Sequence, residues 1–448
     1  MQKNDILEVE ICTLGCEGEG VAKPDGFPLF IPGALPGETA RVQVVKLTKS
    51  YGFARLLEVL VPSPDRTVPP CPVYEKCGGC SVMHINREAQ LAWKREKVQD
   101  AFAHIGGLSV EVAPTVGDAR AFSYRNKIQM PVAATPAGVA AGFFAPRSHR
   151  LVPCTGCLLQ SRKTGEIIEA VVEWMEENGV PPYDETAHRG LVRHIYVREG
   201  EGDECMVSVV TRTRALPSAE ALIGKMQALG VTTLLQNINP ARTNVILGDE
   251  TKILFGPGTV TKTLGGLAFS VSHHSFFQVN APMAAQLYEK GLSLLGDISD
   301  KTVFDLYCGI GSISLFLARK AKKVVGVEIV PEAIADAKKN AVRNGIRNAE
   351  FYAGDAFEAT ETLLQNGETA DVAVVDPPRK GCSPQLLETL LAMHPEKILY
   401  ISCNPATLAR DVKFLTENGY ACGTVYPYDL FPQTGHVETV VLLQRQNT

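Results

Sequence analysis

The pattern of apolar and polar positions changes twice along the chain. In residues 6–61, apolar and polar residues alternate in short runs that glycine and proline interrupt. Alternation with a period of two is typical of half-buried strands, and this spacing predicts a small all-β barrel of about five strands. We assign residues 1–62 to this barrel, because the proline-rich segment 62–72 ends the pattern.

The middle of the chain mixes helical and strand periods. Residues 85–105 predict a helix with Leu91, Val98, Phe102 and Ile105 on one face. Further segments are assigned to strands at 206–213 and 244–249 and to amphipathic helices at 164–179 and 218–230. We therefore assign residues 63–260 to a central α+β domain, with helix 86–105 available to pack on the domain that follows.

From about Val303, strands and helices alternate regularly. Five strand and helix pairs are followed by two terminal strands, and the seven strand segments are 302–307, 323–329, 349–355, 371–378, 397–402, 421–429 and 436–445. Such alternation predicts a doubly wound parallel sheet with one antiparallel edge strand. Residues 261–448 are therefore predicted to form an α/β, Rossmann-like domain.

A glycine-containing turn follows the first of these strands, in the motif that runs from Asp305 to Gly311. Gly309 and Gly311 allow the backbone to approach a ligand closely, and Glu328 ends the second strand, where an acid can hold ribose hydroxyls. The sequence after Gly311 departs from the G-x-G-x-x-G pattern of dinucleotide folds, and Asp355 follows the third strand. This order favours the nucleoside-binding edge of an S-adenosylmethionine methyltransferase.

Cys403 is the candidate nucleophile. The apolar run 398–401 ends at Ser402, Cys403, Asn404 and Pro405, which places the thiol after a buried strand and at the start of a helix. The helix dipole at that position predicts a thiol that ionises more readily than a free cysteine. The alternative is that Cys403 is a small buried hydrophobic residue.

Length and composition indicate a globular protein. The 448 residues, 45% of them hydrophobic, are enough for about two or three domains. The N-terminus has no apolar run of signal-peptide length, and no uncharged apolar stretch approaches about 18 residues. We therefore expect a cytoplasmic protein that does not associate with membranes.

Five of the twelve cysteines are spaced like metal ligands. Cys71, Cys77 and Cys80 lie within ten residues, and Cys154 and Cys157 follow later. This set suits an iron-sulfur cluster, with zinc as the competing metal and purely structural cysteines as a third possibility. The spacing between Cys71 and Cys77 departs from paired zinc knuckles and favours the cluster, whereas the fourth ligand is either Cys154 or Cys157.

The charge is placed unevenly. The net charge of -5 gives no overall bias toward nucleic acid, but residues 119–165 contain seven basic residues and no acid. These are Arg120, Arg125, Lys127, Arg147, Arg150, Arg162 and Lys163. A basic face of this kind suits a polyanion such as RNA. The barrel offers a second candidate face in Arg41, Lys46, Lys49, Tyr51, Phe53 and Arg55, which are otherwise solvated strand positions.

Four motifs together resemble the RNA (uracil-5-)-methyltransferase family over essentially the whole chain. They are Asp376-Pro-Pro-Arg-Lys-Gly381, Ser402-Cys403-Asn404-Pro405, Phe431-Pro-Gln-Thr-Gly-His436-Val-Glu438 and Phe276-Phe277-Gln278-Val279-Asn280. With a TRAM-like (OB-like) barrel and a cysteine cluster, the chain resembles the branch that acts on 23S ribosomal RNA. The transfer RNA branch resembles it only in the central and catalytic parts. The resemblance implies S-adenosylmethionine as methyl donor, a 23S RNA partner, no DNA partner and a monomer.

Residue by residue, the resemblance implies that Cys403 adds to C6 of uracil and that Glu438 removes the C5 proton. The implied methyl-donor residues are Gln278, Tyr307, Glu328 and Asp376, with Asp355 as a neighbour, and they join Gly309 and Gly311 of the glycine turn. The resemblance also implies that Phe276 stacks on the flipped base, and we add Arg125 and Lys127 of the basic stretch and Arg379 as further candidate substrate residues. The implied ligands of a [4Fe-4S] cluster are Cys71, Cys77, Cys80 and Cys157, with Cys154 as an extra cysteine.

Three other functions are consistent with parts of the pattern. The chain could be a transfer RNA uracil-5-methyltransferase. It could also be a methyltransferase of DNA or of a small molecule, but the barrel and the basic stretch disfavour both of these substrates. It could also be a catalytically silent RNA-binding module. The presence of both Cys403 and Glu438 argues against the silent module.

Overall fold

A computed structural model describes residues 1–118 and 120–446, which begin with a closed barrel. Its strands are β1 (Ile6–Leu14), β2 (Gly20–Ala22), β3 (Leu29–Ile31), β4 (Thr39–Leu47) and β5 (Gly52–Val61), with a 3-10 turn at Pro24–Gly26. They close in the order β1-β2-β3-β5-β4. Every second residue of β4, namely Ala40, Val42 and Val44, points into the barrel core. The predicted five-stranded barrel is therefore confirmed.

A helix and a short strand follow the barrel. Helix α1 (Arg87–Asp100) begins at Asn86, whose side chain accepts a hydrogen bond from the Ala89 amide, and continues as a π-helical turn at Ala101–Gly106. Strand β6 (Val116–Gly117) comes next. Val98 of α1 and Phe102 of the π-helical turn lie in the core of the last domain, as does Val112 before β6. This segment therefore packs with the α/β domain and not with the central sheet.

The central domain is built on a seven-stranded sheet within the described residues. Its strands are β7 (Lys127–Thr135), β8 (Gly138–Phe144), β9 (Leu151–Pro153), β10 (Val192–Glu199), β11 (Cys205–Thr211), β12 (Thr233–Ile238) and β13 (Glu250–Phe255). Their order is β13-β12-β11-β10-β7-β8-β9. Helices α2 (Arg162–Glu177) and α3 (Ala219–Ala228) pack on it through a core that includes Trp174 and Met226.

The prediction of a strand at 244–249 is wrong, because these residues form no regular secondary structure. The Asn239 side chain donates hydrogen bonds to the carbonyls of Val245 (2.8 Å) and Ile246 (3.0 Å), and the Asn237 side chain donates to the Gly248 carbonyl (2.8 Å). Because these amide side chains take the place of a neighbouring strand, the segment is irregular. Regular pairing starts only at Glu250.

A hairpin of β14 (Val260–Leu264) and β15 (Leu267–Val271) leads into helix α4 (Ala281–Leu295) and the last sheet. The strands of that sheet are β16 (Thr302–Leu306), β17 (Lys323–Glu328), β18 (Ala349–Ala353), β19 (Val372–Val375), β20 (Lys397–Ser402), β21 (Tyr420–Cys422), β22 (Tyr426–Asp429) and β23 (Glu438–Arg445). The helices between them are α5 (Ser312–Ala318), α6 (Pro331–Arg343), α7 (Ala356–Gln365), α8 (Pro384–Met393) and α9 (Pro405–Glu417).

The strand order of the last sheet is β18-β17-β16-β19-β20-β23-β22-β6. The first five strands are parallel, and the predicted α/β class is confirmed. The antiparallel strand β23 lies inside the sheet and not at its edge, because β22 and then β6 pair beyond it. The single strand predicted at 421–429 is divided into β21 and β22, which pair with different parts of β23.

Helices cover both faces of this sheet. Helices α4, α5 and α6 pack on one face, while α1, α7, α8 and α9 pack on the other. Strand order reverses between β16 and β19, and such a reversal opens a crevice beyond the carboxyl ends of the strands. In the described ranges, no helix is long and apolar enough to cross a membrane.

Candidate active site

The predicted donor and catalytic residues follow successive strands of one sheet edge. Leu306, the last residue of β16, is paired with Val375 of β19 on one side and Val327 of β17 on the other. Tyr307 therefore lies in the row that also contains Glu328 and Asp376. Cys403 follows the neighbouring strand β20, so the fold brings the predicted residues to the same edge.

Cys403 and Glu438 lie beside each other on antiparallel strands. Ser402 at the end of β20 is opposite Thr439 of β23, and the Thr439 hydroxyl donates a hydrogen bond to the Ser402 carbonyl over 3.0 Å. Cys403 and Glu438 are the next residues beyond this pair. The arrangement places a thiol and a carboxyl group at the rim of the crevice.

The surroundings of Cys403 raise its pKa to about 11. Burial is the largest cause, the negative charges of Glu438 and Asp376 add to it, and Arg379 opposes it. The prediction of a readily ionised thiol is therefore wrong in this structure. The helix N-terminus is present, with the Asn404 side chain capping α9 through the Ala406 amide, but burial and two carboxylates outweigh its dipole.

Burial also raises the pKa of the two carboxyl groups near the thiol. Glu438 is only 6% exposed. Burial and the negative charge of Asp376 raise its pKa to about 8, although the positive charge of Arg379 lowers it in part. Burial raises the pKa of Asp376 to about 6. A carboxyl group with a pKa near neutrality is suited to take a proton from carbon and later release it.

The turn after β16 brings together Gly309, Gly311 and Glu328, which were predicted to bind the methyl donor. The Gly309 amide donates a hydrogen bond to one oxygen of Glu328 (3.2 Å), and the Val330 amide donates to the other (3.0 Å). Tyr307 (φ 80°) and Gly311 (φ 84°) have left-handed backbone conformations, which turn the chain tightly under the crevice. Glu328 is thereby held with lone pairs free for ribose hydroxyls.

Asp305 was not among the predicted site residues, although it opens the same motif. It is fully buried, the Ser314 hydroxyl donates to its Oδ2 over 2.5 Å, and burial raises its pKa to about 7. Its Oδ1 has no hydrogen-bond partner within the described part of the chain. This unpaired carboxylate oxygen lies under the glycine turn, so it is suited to accept a hydrogen bond from a ligand. The amino group of S-adenosylmethionine could donate such a bond. Asp355, in contrast, caps α7 by accepting from the Phe357 amide (2.9 Å).

The loop before α4 presents two predicted residues in different surroundings. Phe276 is 68% exposed, whereas the adjacent Phe277 is buried against Phe269 with 5.8 Å between ring centroids. The backbone carbonyl of Gln278 accepts a hydrogen bond from the Asn126 side chain over 3.0 Å. The exposed ring of Phe276 is therefore available for stacking, and Gln278 is fixed by the central domain.

Arg379 lies on the loop that follows β19 and Asp376. Its guanidinium is 3.3 Å from Nε2 of His436, and its carbonyl accepts a hydrogen bond from the Asn404 side chain over 2.9 Å. His436 was missed as a site residue, although it stands two residues before Glu438 in a motif that the sequence displays. Burial and neighbouring cations, Arg379 first among them, lower the pKa of His436 to about 4, so the neutral ring accepts from Arg379.

The predicted cluster cysteines surround one cavity of about 310 Å³. The lining includes Cys71, Cys77, Cys80, Cys154 and Cys157, together with Arg125, Lys127 and Phe431. Burial and neighbouring thiols raise the pKa of Cys80 and of Cys154 to about 12. Across residues 1–118 and 120–446, however, no three His, Cys, Asp or Glu side chains are arranged to hold a metal ion. The donor chemistry suits a metal cluster, but the thiols are not in a closed coordination geometry.

Arg125 and Lys127 line this cavity together with Phe431. The Arg125 guanidinium is 6.0 Å from the centre of the Phe431 ring, on the loop that leads to Glu438. Burial, with the charges of Arg198 and Arg125, lowers the pKa of Lys127 to about 8. These two predicted substrate residues are thus partly enclosed, whereas Arg120, Arg147 and Arg150 are exposed.

The barrel carries an aromatic cluster of Phe30, Tyr51 and Phe53, whose ring centroids are 5.6 to 5.8 Å apart. The Arg147 guanidinium of the central domain lies 5.7 Å from the centre of the Phe53 ring. Arg41 differs from the other predicted barrel cations, because its charge is paired with Glu8 and Glu58.

Comparison with known proteins gives consistent matches. Residues 244–446 match the tRNA (Uracil-5-)-methyltransferase family model, and residues 2–57 match the TRAM domain. An RNA methyltransferase of Halalkalibacterium halodurans is 47% identical over 451 residues, which cover 100% of this chain and 98% of that protein. A Listeria innocua RNA methyltransferase is 46% identical, with 99% and 98% covered.

Among solved structures, Pyrococcus abyssi tRNA (uracil-54, C5)-methyltransferase in complex with S-adenosyl-L-homocysteine has a TM-score of 0.80 to this chain. The two are 28% identical, and the match covers 97% of this chain and 99% of the other. The match extends over the barrel, the central domain and the crevice, so the expectation that a transfer RNA enzyme resembles this chain only in the central and catalytic parts is wrong. The chain therefore belongs to the RNA uracil-5-methyltransferase family, as an S-adenosylmethionine-dependent RNA methyltransferase with an N-terminal TRAM domain.

Proposed function

We propose that this enzyme methylates C5 of a specific uridine in 23S ribosomal RNA through a covalent bond between Cys403 and C6. The observation that carries the mechanism is the adjacent placement of Cys403 and Glu438 across β20 and β23, next to the donor crevice. The support for ribosomal RNA is the resemblance of this chain, with its barrel and cysteine cavity together, to the 23S branch. The barrel alone does not separate the two substrates, because the Pyrococcus abyssi tRNA enzyme aligns over 97% of this chain.

The proposed sequence of steps follows from the weak nucleophilicity of uracil C5. The Cys403 thiol gives its proton to solvent water, its sulfur forms a bond to C6, and the electron pair of the C5–C6 double bond moves onto the C4 carbonyl as an enolate. S-adenosylmethionine would supply the methyl group to C5, with its bond between methyl and sulfonium sulfur broken and S-adenosylhomocysteine as the leaving group. The Glu438 carboxylate takes the C5 proton, the C5–C6 double bond re-forms, and the thiolate leaves C6.

The target base has to leave the RNA stack before Cys403 can reach C6. Base flipping costs a few kcal/mol, part of which is recovered by stacking on an aromatic ring. The exposed ring of Phe276 is available for that contact. Arg120, Arg147 and Arg150, with the barrel aromatics, are proposed to contact the phosphates and bases around the target.

Transfer RNA is the second candidate substrate. It is favoured by the similarity to the Pyrococcus abyssi enzyme, which acts on uracil 54 of tRNA and aligns over almost the whole chain. Purified enzyme incubated with labelled methyl donor and either 23S RNA or tRNA separates the two. Label in 5-methyluridine of 23S RNA alone supports the proposal, and label confined to tRNA refutes it.

We further propose that Cys71, Cys77, Cys80 and Cys157 hold a [4Fe-4S] cluster that serves structure or RNA orientation. The support is the gathering of five thiols around one cavity, beside the cations Arg125 and Lys127. Protein purified without air is expected to be brown and to contain iron and sulfide. One equivalent of zinc, without visible absorbance, would refute the cluster. We also propose that the enzyme is a cytoplasmic monomer.

A further inference from the structure

The loop between β22 and β23 ends at the catalytic base. Because Glu438 is the first residue of β23, the position of its carboxyl group depends on where residues 430–437 are held. In this loop Gln433 has a left-handed backbone, with φ of 71°, which a non-glycine residue adopts at a cost. The loop therefore needs partners that maintain this conformation, and they come from the beginning of the chain.

Gln90 of α1 forms a reciprocal pair with Gln433. The Gln90 side-chain amide donates to Oε1 of Gln433 over 3.1 Å, and the Gln433 backbone amide donates to Oε1 of Gln90 over 3.3 Å. Gln90 is only 1% exposed, and it also donates to the Ile85 carbonyl over 2.8 Å. A buried amide with this many partners has one orientation, which it imposes on Gln433.

Ser81 holds the same loop from the other side. Its backbone amide donates to the Gln433 carbonyl over 3.0 Å, and its hydroxyl accepts from the Gly435 amide over 3.1 Å. Ser81 directly follows Cys80 of the cysteine cavity. The segment that closes the cavity is therefore bonded to the chain three residues before Glu438.

Two lysines of α1 anchor both ends of the loop. Lys94 is fully buried, forms an ion pair with Asp429 at 2.5 Å and donates to the Phe431 carbonyl over 3.2 Å. Lys97 donates to the Gly435 carbonyl over 2.7 Å. These contacts hold both ends of the loop against helix α1. Gln90 and Ser81 then fix the conformation of the residues between those ends.

We infer that Gln90 and Ser81 are positioning residues for Glu438, and that they govern removal of the C5 proton and release of Cys403. Within the described part of the chain, the side-chain hydrogen bonds of Gln90 and Ser81 go to Val82, Ile85, Gln433 and Gly435 and not to Cys403 or the donor residues, so we expect addition and methyl transfer not to depend on them. The inference rests on the proposed function, because it requires Glu438 to act after the methyl group has been transferred.

The test compares Gln90→Ala and Ser81→Ala with Gln99→Ala, an exposed glutamine of the same helix that serves as matched control. Full-length enzyme is mixed with labelled methyl donor and substrate RNA, and the covalent complex is quantified on a denaturing gel. A small displacement of a catalytic group costs up to about 100-fold, so release should slow by about tenfold to 100-fold. Labelled complex should accumulate in the two variants, while methyl transfer in a single turnover changes by less than about threefold.

The outcomes separate this inference from the proposed function. If Glu438→Gln itself traps no labelled complex, the proposed role of Glu438 fails. If Glu438→Gln traps the complex but Gln90→Ala and Ser81→Ala release product like Gln99→Ala, only the positioning role is refuted. Equal slowing of methyl transfer and release would show a general structural defect and also refute it. Ser81→Ala removes a single side-chain hydrogen bond, and it carries the test if Gln90→Ala does not fold.

Discussion

Replacement of Glu438 by glutamine tests the central step of the proposed mechanism. Glutamine has nearly the same shape as glutamate but cannot take a proton from C5. A positioned general base contributes about 100-fold to 10,000-fold to a proton transfer, so release of methylated RNA should slow by that factor. Addition of Cys403 should not slow, because Glu438 is one of the groups that raise the pKa of that thiol.

The pH dependence gives this prediction a second measurement. With a pKa of about 8, Glu438 is ionised in roughly one molecule in ten at pH 7 and becomes the active base as the pH rises. Release by the unmodified enzyme should therefore accelerate between about pH 6 and pH 9, with its half-maximal rate near pH 8, and level off above that. Release by Glu438→Gln should remain slow and lack this rise.

The assay is a denaturing gel on which protein bound covalently to RNA migrates as a slower band. Glu438→Gln should accumulate this band with the methyl label in it. RNA with 5-fluorouridine at the target should trap the unmodified enzyme in the same way, since fluorine cannot leave as a cation. Turnover of Glu438→Gln at the normal rate would contradict the assignment, as would a trapped complex without the methyl label. The base would then have to be sought elsewhere, with Asp376 as the first alternative.

Three further results are expected. Cys403→Ala should bind RNA with unchanged affinity in a filter-binding assay but form no covalent complex and no 5-methyluridine; residual product would move the nucleophile to Cys308 or Cys382. Burial and two carboxylates raise the pKa of Cys403 to about 11, so the rate of trapping by 5-fluorouridine RNA should increase by about tenfold per pH unit between about pH 7 and pH 9. A rate that does not change with pH would exclude thiol ionisation as the controlling step. Replacement of Arg120, Arg147 and Arg150 by glutamine should weaken RNA binding and reduce the salt slope by about 2 to 3, with methyl-donor affinity unchanged; an unaltered slope would place the RNA footprint elsewhere.

The sequence by itself determined the elements and the order of the chemistry. Strands β16, β17, β19 and β20 of the last sheet are buried on both faces, so they appear as apolar runs such as 398–401, and each is followed or ended by a polar residue of the crevice. Parallel strands bring their carboxyl ends to one edge, which is why Glu328, Asp355 and Cys403 could be grouped without a structure. The resemblance then added Asp376 and Glu438, and Glu438, at the start of an antiparallel strand, has no such local signature.

The sequence already offered helix 86–105 to the last domain, but only the tertiary structure decided that β6 joins the sheet of that domain. Helix α1 and β6 precede the central sheet in the chain, yet Val98, Phe102 and Val112 pack in the core of the last domain. The strand predicted at 244–249 failed for a related reason, since amide side chains of Asn237 and Asn239 bind the carbonyls that a neighbouring strand would have used. Apolar spacing shows that one face of an element is buried, but it does not show which other element covers that face.

The charge state of the site was also decided by the tertiary structure. From its place at a helix N-terminus, Cys403 was expected to ionise readily, but burial and the carboxylates of Glu438 and Asp376 raise its pKa. Arg379, which opposes that shift, comes from a third strand end. A helix dipole is local and visible in sequence, whereas desolvation and the charges of groups on other strands exist only once the chain has folded.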